Sequence, residues 1–374
     1  ESLSFCIFIQ IGMLPLIIYF QYEAPAFSFL ANVAAVPLAT CAFTLAFLLI
    51  FLPYTVFHEA ISWMIQGVLW ISRQSYGMLT IGHVPFLWVL LFYFMTGLWI
   101  WKKNGQNRHI RISLAYVIMI ILIWIPMARR KSLAFLDVGQ GDCFVADTKS
   151  GAIIFDGGSS SEDQVGRYRI LPYMKYLGYQ KIQIAVISHM DIDHYSGIKE
   201  LLEMGKIKYL GLPEIPKDET MKKIIGIAKK RGTTIFYLSR GRQITTKDGS
   251  LKVLHPQKNS QMEKNAASLV MQGKILGYRV LLTGDVEKEG EEELLSEELE
   301  RADILKAAHH GSKNSTSNEF LQKVQPKQTV ISCGKQNRYG HPHLETIHRL
   351  QTYRTKIYRT DRSGAIIFFK RRDG

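Results

Sequence analysis

Cysteine is scarce, with four in 374 residues. Cys6 and Cys41 lie in apolar runs, and Cys143 and Cys333 are far apart, with no C-x-x-C spacing. A disulfide scaffold is excluded, and all four read as small buried hydrophobes. Charge is nearly missing from the first third. Up to Ala128 there are five basic residues (Arg73, Lys102, Lys103, Arg108, Arg111) and three acids (Glu1, Glu23, Glu59). The chain's net charge of +14 therefore divides into +2 before that point and +12 after it. Such a division excludes one soluble domain, and the apolar content excludes intrinsic disorder. An initial Met and a cleavable signal are also lacking. The chain begins at Glu1 inside an apolar run, and we expect a fragment or a processed chain.

What fills the uncharged third is hydrophobic. Apolar runs cover Phe5 to Phe20, Phe27 to Leu52, Leu79 to Trp101 and Ile112 to Met127. Each is near the ~20 residues that a bilayer-spanning helix needs. Tyr19, Tyr22, Trp99 and Trp101 sit at run ends, as residues of a membrane interface do. Thr55 to Arg73 carries His58, Glu59 and Gln66, and reads as an interfacial or amphipathic helix or as a span facing protein. Asn32, between Pro25 and Pro37, marks either a broken helix lining a pathway or an interhelical hydrogen bond. Basic residues flank the last run on both sides, so orientation is not readable. Residues 1–128 are thus expected to be a membrane α-helical segment, multi-pass in the cell membrane.

From Lys131 the pattern changes. Strand-like runs appear at Leu133–Leu136, Cys143–Ala146, Ala152–Phe155, Ile184–Ile187, Ile235–Leu238, Leu251–Leu254, Tyr278–Leu282, Thr329–Ser332 and Ala365–Phe369. Helical patterns lie between groups of them, which predicts an α/β sandwich over 129–374 rather than a regular βαβ series. The acidic run Glu287 to Glu300 reads as a solvated helix face.

The chemistry concentrates at strand ends. Ser188-His189-Met190-Asp191-Ile192-Asp193-His194 follows the apolar strand at 184–187. Four imidazole or carboxylate groups fall within six residues, on a loop where they can converge. Histidine nitrogen with aspartate oxygen suits Zn or Mn, and two such sets can hold two cations. Leu281-Leu282-Thr283-Gly284-Asp285 ends a second strand in an acid. Lys306-Ala307-Ala308-His309-His310-Gly311-Ser312 ends a third in paired histidines. Adjacent side chains on a strand point opposite ways, so His309 and His310 are alternatives.

These residues resemble the metallo-β-lactamase superfamily, whose signature is H-x-H-x-D-H, then a strand-end Asp, then a late His. Asp191 replaces the second His. Asn265-Ala266-Ala267-Ser268-Leu269 stands where the superfamily's middle His is expected. Oxygen in place of nitrogen makes Mn more plausible relative to Zn. The resemblance narrows at Phe135-Leu136-Asp137-Val138-Gly139-Gln140-Gly141-Asp142, which is similar to the opening motif of the lactamase-like domain of ComEC-type competence DNA-uptake channels. Arg338-Tyr339-Gly340-His341-Pro342, Gly12 to Pro15 and Asn32 to Pro37 fit the same family. We therefore expect the chain to be the C-terminal portion of such a protein, without the family's N-terminal small β domain and earlier membrane helices.

The resemblance implies an αββα metallo-β-lactamase-like sandwich after a partial competence membrane domain. It implies single-stranded DNA entry through the membrane part and cleavage of the other strand by the metal-dependent domain. The partners it implies are DNA, membrane lipid and other competence machinery, with homo-oligomers allowed. Two divalent ions, Mn or Zn, are expected, bridged by Asp285. His189 and Asp191 would serve the first ion. Asp193, His194 and His309 (or His310) would serve the second, unless Asp193 acts as a base. Asp156 would orient a ligand His. Asp142 and His341 would touch substrate or leaving group. Lys306, Lys313, Lys335 and Arg338 would bind phosphates, with Tyr339 stacking on a base. Two other readings compete: a transport component whose lactamase-like domain only binds DNA, and a hydrolase of small substrates.

Overall fold

A computed structural model describes residues 2–25, 28–51, 55–73, 77–101, 130–262, 265–297 and 299–371. The chain divides into two compact units, Glu1–Met127 with Lys175–Gly178, and Ala128–Met174 with Tyr179–Gly374.

The first unit is helical: Ser2–Gln21, Ser28–Leu48, Thr55–Arg73 and Phe86–Trp101. A short antiparallel pair joins Glu23–Pro25 to Met78–Thr80. Among the described residues one helix is long and apolar enough to cross a membrane, Leu30–Leu48, with mean hydropathy 1.8. Ile9–Gln21 and Phe86–Gly97 are apolar but shorter. The run Ile112 to Met127 and the basic residues from Lys102 to Arg129 lie outside the described residues. Large apolar side chains face outward on these helices, Phe43 and Trp63 each at 75% exposure. A helix apolar on all sides needs an apolar surrounding. Thr55–Arg73 differs, since Glu59, Ser62 and Gln66 fall on one stripe and Gln66 donates to Ser62. Two expectations are corrected here. The helix Ser28–Leu48 runs unbroken through Pro37, with Asn32 exposed on it. Cys41 is exposed, whereas Cys143 and Cys333 are buried as expected.

The second unit holds two seven-stranded sheets. The first runs, in spatial order, Ile366–Phe369, Ser132–Phe135, Phe144–Thr148, Gly151–Phe155, Ile182–Val186, Ile207–Pro213 and Thr234–Leu238. The second runs Lys356–Arg359, Gln328–Ile331, Ile304–Lys306, Tyr278–Leu282, Val270–Ile275, Gly249–His255 and Gln243–Thr246. Alternation sorts the side chains. Ile153 and Phe155 enter the core between the sheets, together with Val280, Leu282 and Val330. Leu281 and Ile331 face the other way, against Leu294, Phe320 and Leu350 from helices. This is the αββα sandwich expected. Ile207–Pro213 and Val270–Ile275 escape recognition in the sequence, because Lys208 and Gly211, and Gln272 and Gly273, break their apolar runs. The helix Lys288–Leu295 is not solvated throughout, since Glu291 is buried and accepts from the Thr316 and Ser317 amides.

Four neighbouring strands in each sheet are parallel. Their carboxyl ends open on one edge of the sandwich, and the motif residues follow those ends. Glycines let the loops close there. A Cβ on Gly158 would lie 2.5 Å from the His194 amide nitrogen, and one on Gly141 would lie 2.7 Å from the Asp193 carbonyl oxygen. The Asp142 amide donates to that carbonyl, 3.0 Å away, and the Gly157 amide to the carbonyl of His194, at 2.8 Å.

Candidate metal centre

Asp191 is the N-cap of the helix Ile192–Glu203, so Asp193 and His194 lie in its first turn rather than on a loop. His189 and His194 rings come within 4.1 Å, centroid to centroid. His194 Nε2 lies 3.1 Å from Asp285 Oδ2, and His310 Nε2 lies 3.2 Å from the same oxygen. His310 Nε2 is also 3.4 Å from Asp193 Oδ2. His189 Nε2 is 3.6 Å from Asp191 Oδ2. The Nε2 atoms of His189, His194 and His310 are buried and make no hydrogen bond among the described residues. Buried nitrogens converging on carboxylate oxygens in this way fit a cation.

The far sides of these rings are held. His194 Nδ1 is 3.0 Å from Asp156 Oδ2, while Asp156 Oδ1 accepts from the Ser188 amide at 2.7 Å. His310 Nδ1 is 2.9 Å from the Ser332 carbonyl, and His189 Nδ1 is 3.0 Å from Ser188 Oγ. Each bond aims the opposite nitrogen at the centre.

His309 and His310 both adopt left-handed backbone, with φ of 47° and 52°, ahead of Gly311. Two consecutive left-handed residues abolish the strand alternation that made them alternatives. Both rings turn toward Asp285, but not equally. His309 Nε2 is 3.8 Å away and its Nδ1 meets Glu287 at 2.8 Å, whereas His310 is buried against the centre. Proximity therefore favours His310 over His309.

Charge is concentrated here. Burial works against ionised His310, but Asp285, Asp142 and Asp193 outweigh it and lift its pKa to about 10. Burial likewise opposes charge on His194, yet Asp285 and Asp156 hold it well above the usual range. The Asp193 carboxyl resists burial through His310 and His194 and falls to about 2. Asp285 lies well below the carboxylate range, its burial overcome by His194, His310 and Lys306. Without a metal, protons on the histidines balance the carboxylates, and a cation displaces them.

Two sequence assignments change. Lys306 is 4% exposed, so it is not a surface phosphate contact. Its ammonium is spent on Asp142, on Asp285 Oδ1 at 3.3 Å and on the Gly284 carbonyl at 2.8 Å. Asp142 is buried and lies behind the rings, 3.7 Å from His194 Nδ1 and 3.6 Å from His310 Nδ1. It faces the Nδ1 side of both rings.

A cavity of about 270 Å3 opens on the centre, lined by Asp191, Asp193, Asp285, His310, Tyr339 and His341, among others. Tyr339 stacks on His341 at 5.7 Å, and Arg338 lies 4.9 Å over the Tyr339 ring. Burial and the neighbouring His310 and His309 push His341 down to about 4, so its imidazole is neutral. Lys313, Lys335 and Arg338 are exposed, as a phosphate contact requires. Gln140 is a further wall residue that the sequence did not single out on its own.

Residues 136–335 match the metallo-beta-lactamase superfamily. The chain belongs to that superfamily. Residues 2–106 match the competence protein domain, so a competence domain precedes the metallo-β-lactamase domain, as in ComEC-type proteins. ComE operon protein 3 of Bacillus subtilis (strain 168) is 31% identical over 98% of this chain and 51% of its own length. Competence protein ComA of Neisseria gonorrhoeae is 30% identical over 64% of this chain and 32% of its own. The chain thus spans about half or less of the length of these relatives. The metallo-beta-lactamase fold protein YhfI from Bacillus subtilis aligns with a TM-score of 0.44 at 12% identity, over 63% of this chain and 99% of that one. Asp142, His194, Asp285 and His310 are all buried and bring one ligand atom each within 4.8 Å of one another, and in a superfamily hydrolase fold such a group is a divalent-cation site. Asp191 and Asn265 both line a neighbouring cavity.

Proposed function

We propose that this chain is a DNA-internalisation component of natural transformation. Its residues 1–128 are a multi-pass segment of the cell membrane that helps to form a single-stranded DNA channel. Its residues 129–374 are a metal-dependent phosphodiesterase that degrades the strand not taken up. The reading is supported by one observation: a chain matching the competence domain also holds a buried group in which His194 and His310 converge on Asp285 Oδ2. The apolar, outward-facing helices support the membrane assignment.

In this reading Asp285 Oδ2, His194 and His310 would hold one ion, and His189 with Asp191 would hold a second. The Asp191 oxygen, in place of a nitrogen donor, shifts the preference from Zn toward Mn. Bound cations would polarise a phosphodiester oxygen and supply a nucleophilic water at neutral pH. Asp193, open to the cavity, would orient an attacking water or accept its proton. Asp156 holds His194 in one tautomer. His341, being neutral, offers a hydrogen bond to the leaving group. Lys313, Lys335 and Arg338 draw in the polyanion, and DNA, lipid and other competence proteins are the partners.

The test is cleavage of linear and single-stranded DNA by the purified full chain, with Mn, Zn or chelator. Mn-dependent cleavage that vanishes in Asp285→Ala is expected. DNA binding without cleavage under any metal would favour the transport-only reading instead.

A further inference from the structure

Lys306 ends the short strand Ile304–Lys306, between Tyr278–Leu282 and Gln328–Ile331. That position carries its side chain across to the end of the neighbouring strand, where Gly284 and Asp285 lie. An ammonium group has three protons. Here Gly284 O and Asp285 Oδ1 accept hydrogen bonds, and Asp142 Oδ2 pairs with the same charge. Both carboxylates and the lysine are buried. A buried lysine this well matched is neither a solvated charge nor a ligand for phosphate.

The two oxygens of Asp285 are therefore divided. Oδ1 is on Lys306, while Oδ2 is on the histidine side, 3.1 Å from His194 Nε2 and 3.2 Å from His310 Nε2. Asp142 shares the same ammonium and stays on the Nδ1 side of both rings. We propose that Lys306 is a built-in cation that sets the metal centre. It commits Asp285 to its ions through Oδ2 alone, and although Asp142 belongs to the same buried group, its pairing with the ammonium keeps it out of the ligand set. It is a positioning residue, acting through Asp285. In effect it occupies a place that two buried carboxylates would otherwise offer to an ion.

The inference rests on the metal reading above, and the test separates the two. The full chain and Lys306→Ala are purified in detergent, saturated with Mn, freed of excess and assayed for Mn per chain. Thermal unfolding checks folding. Lys306→Ala should carry one Mn more than wild type, because Asp142 and Asp285 Oδ1 become free. Asp142→Asn with Lys306→Ala should return to the wild-type content. Wild type with bound Mn and a Lys306→Ala content no higher would overturn the role of Lys306 alone. Wild type without any Mn would overturn both this role and the metal reading. Should Lys306→Ala not fold even with Mn, the double variant decides. Folding with the wild-type Mn content supports the role, and failure to fold overturns it.

Discussion

Asp285 Oδ2 stands 3.1 Å from His194 Nε2, a carboxylate from a strand end of one sheet against an imidazole that follows a strand of the other. His310 approaches the same oxygen from a third strand end. The oxygen is thus common to donors carried by separate strands. Replacing Asp285 by Ala should abolish metal uptake at this centre and reduce DNA cleavage by more than ~100-fold, the upper range for loss of an outer-sphere partner. Metal content and cleavage rate, compared with wild type, check this.

Asp156 acts one step further out. Its carboxylate touches His194 Nδ1 and the Ser188 amide, and is itself buried. Asp156→Asn keeps the shape but cannot accept a proton-bearing nitrogen through its amide group. Mn affinity, measured by chelator competition, should fall ~10- to 100-fold. An affinity equal to wild type would remove Asp156 from the centre.

The metal-free protein should have a defined pH window. His310 is raised from 6.5 to about 10, so its contribution is fully present below 6.5 and is lost as pH rises through about 10. Asp193 is depressed from 3.8 to about 2, so its contribution is present above 3.8 and is lost as pH falls through about 2. Chelated protein should therefore unfold at its highest temperature between these limits, in mildly acidic solution. Mn replaces the histidine protons, so saturating Mn should move the maximum upward in pH. Thermal unfolding against pH, with chelator and with Mn, measures both.

Lys335 and Arg338 are exposed, and Arg338 lies over Tyr339, which lines the cavity, whereas Lys306 is buried. Each exposed cation replaced by Ala should weaken DNA binding and lower the slope of log affinity against log salt by ~1. Cleavage at saturating DNA should change little. An unchanged slope in both variants would place the DNA elsewhere on the surface.

The helical unit should stay with the bilayer. Its outward Phe43, Trp63 and Leu87 have no apolar partner in water. Carbonate extraction of membranes should leave the intact chain in the pellet, and its release would contradict the membrane assignment.

Where chemistry depends on neighbours along the chain, the sequence alone determined it. The uncharged third, the strand before His189 and the five-residue reach from His189 to His194 are local features. Period and composition report them directly. The strand-end placing of Asp285 and of the His309-His310 pair is local too. Tertiary structure alone decided three matters. Left-handed backbone at His309 and His310, which no alternation rule anticipates, turned both rings inward and made His310 the nearer group. The order of strands put Lys306 beside Gly284 and Asp285, and so converted an apparent surface cation into a buried counter-ion. Asp142 went behind the rings because its loop closes onto the first turn of the helix at Asp193 through glycines. Burial and partner choice are set by strands distant in sequence, and charge type along the chain carries no record of them.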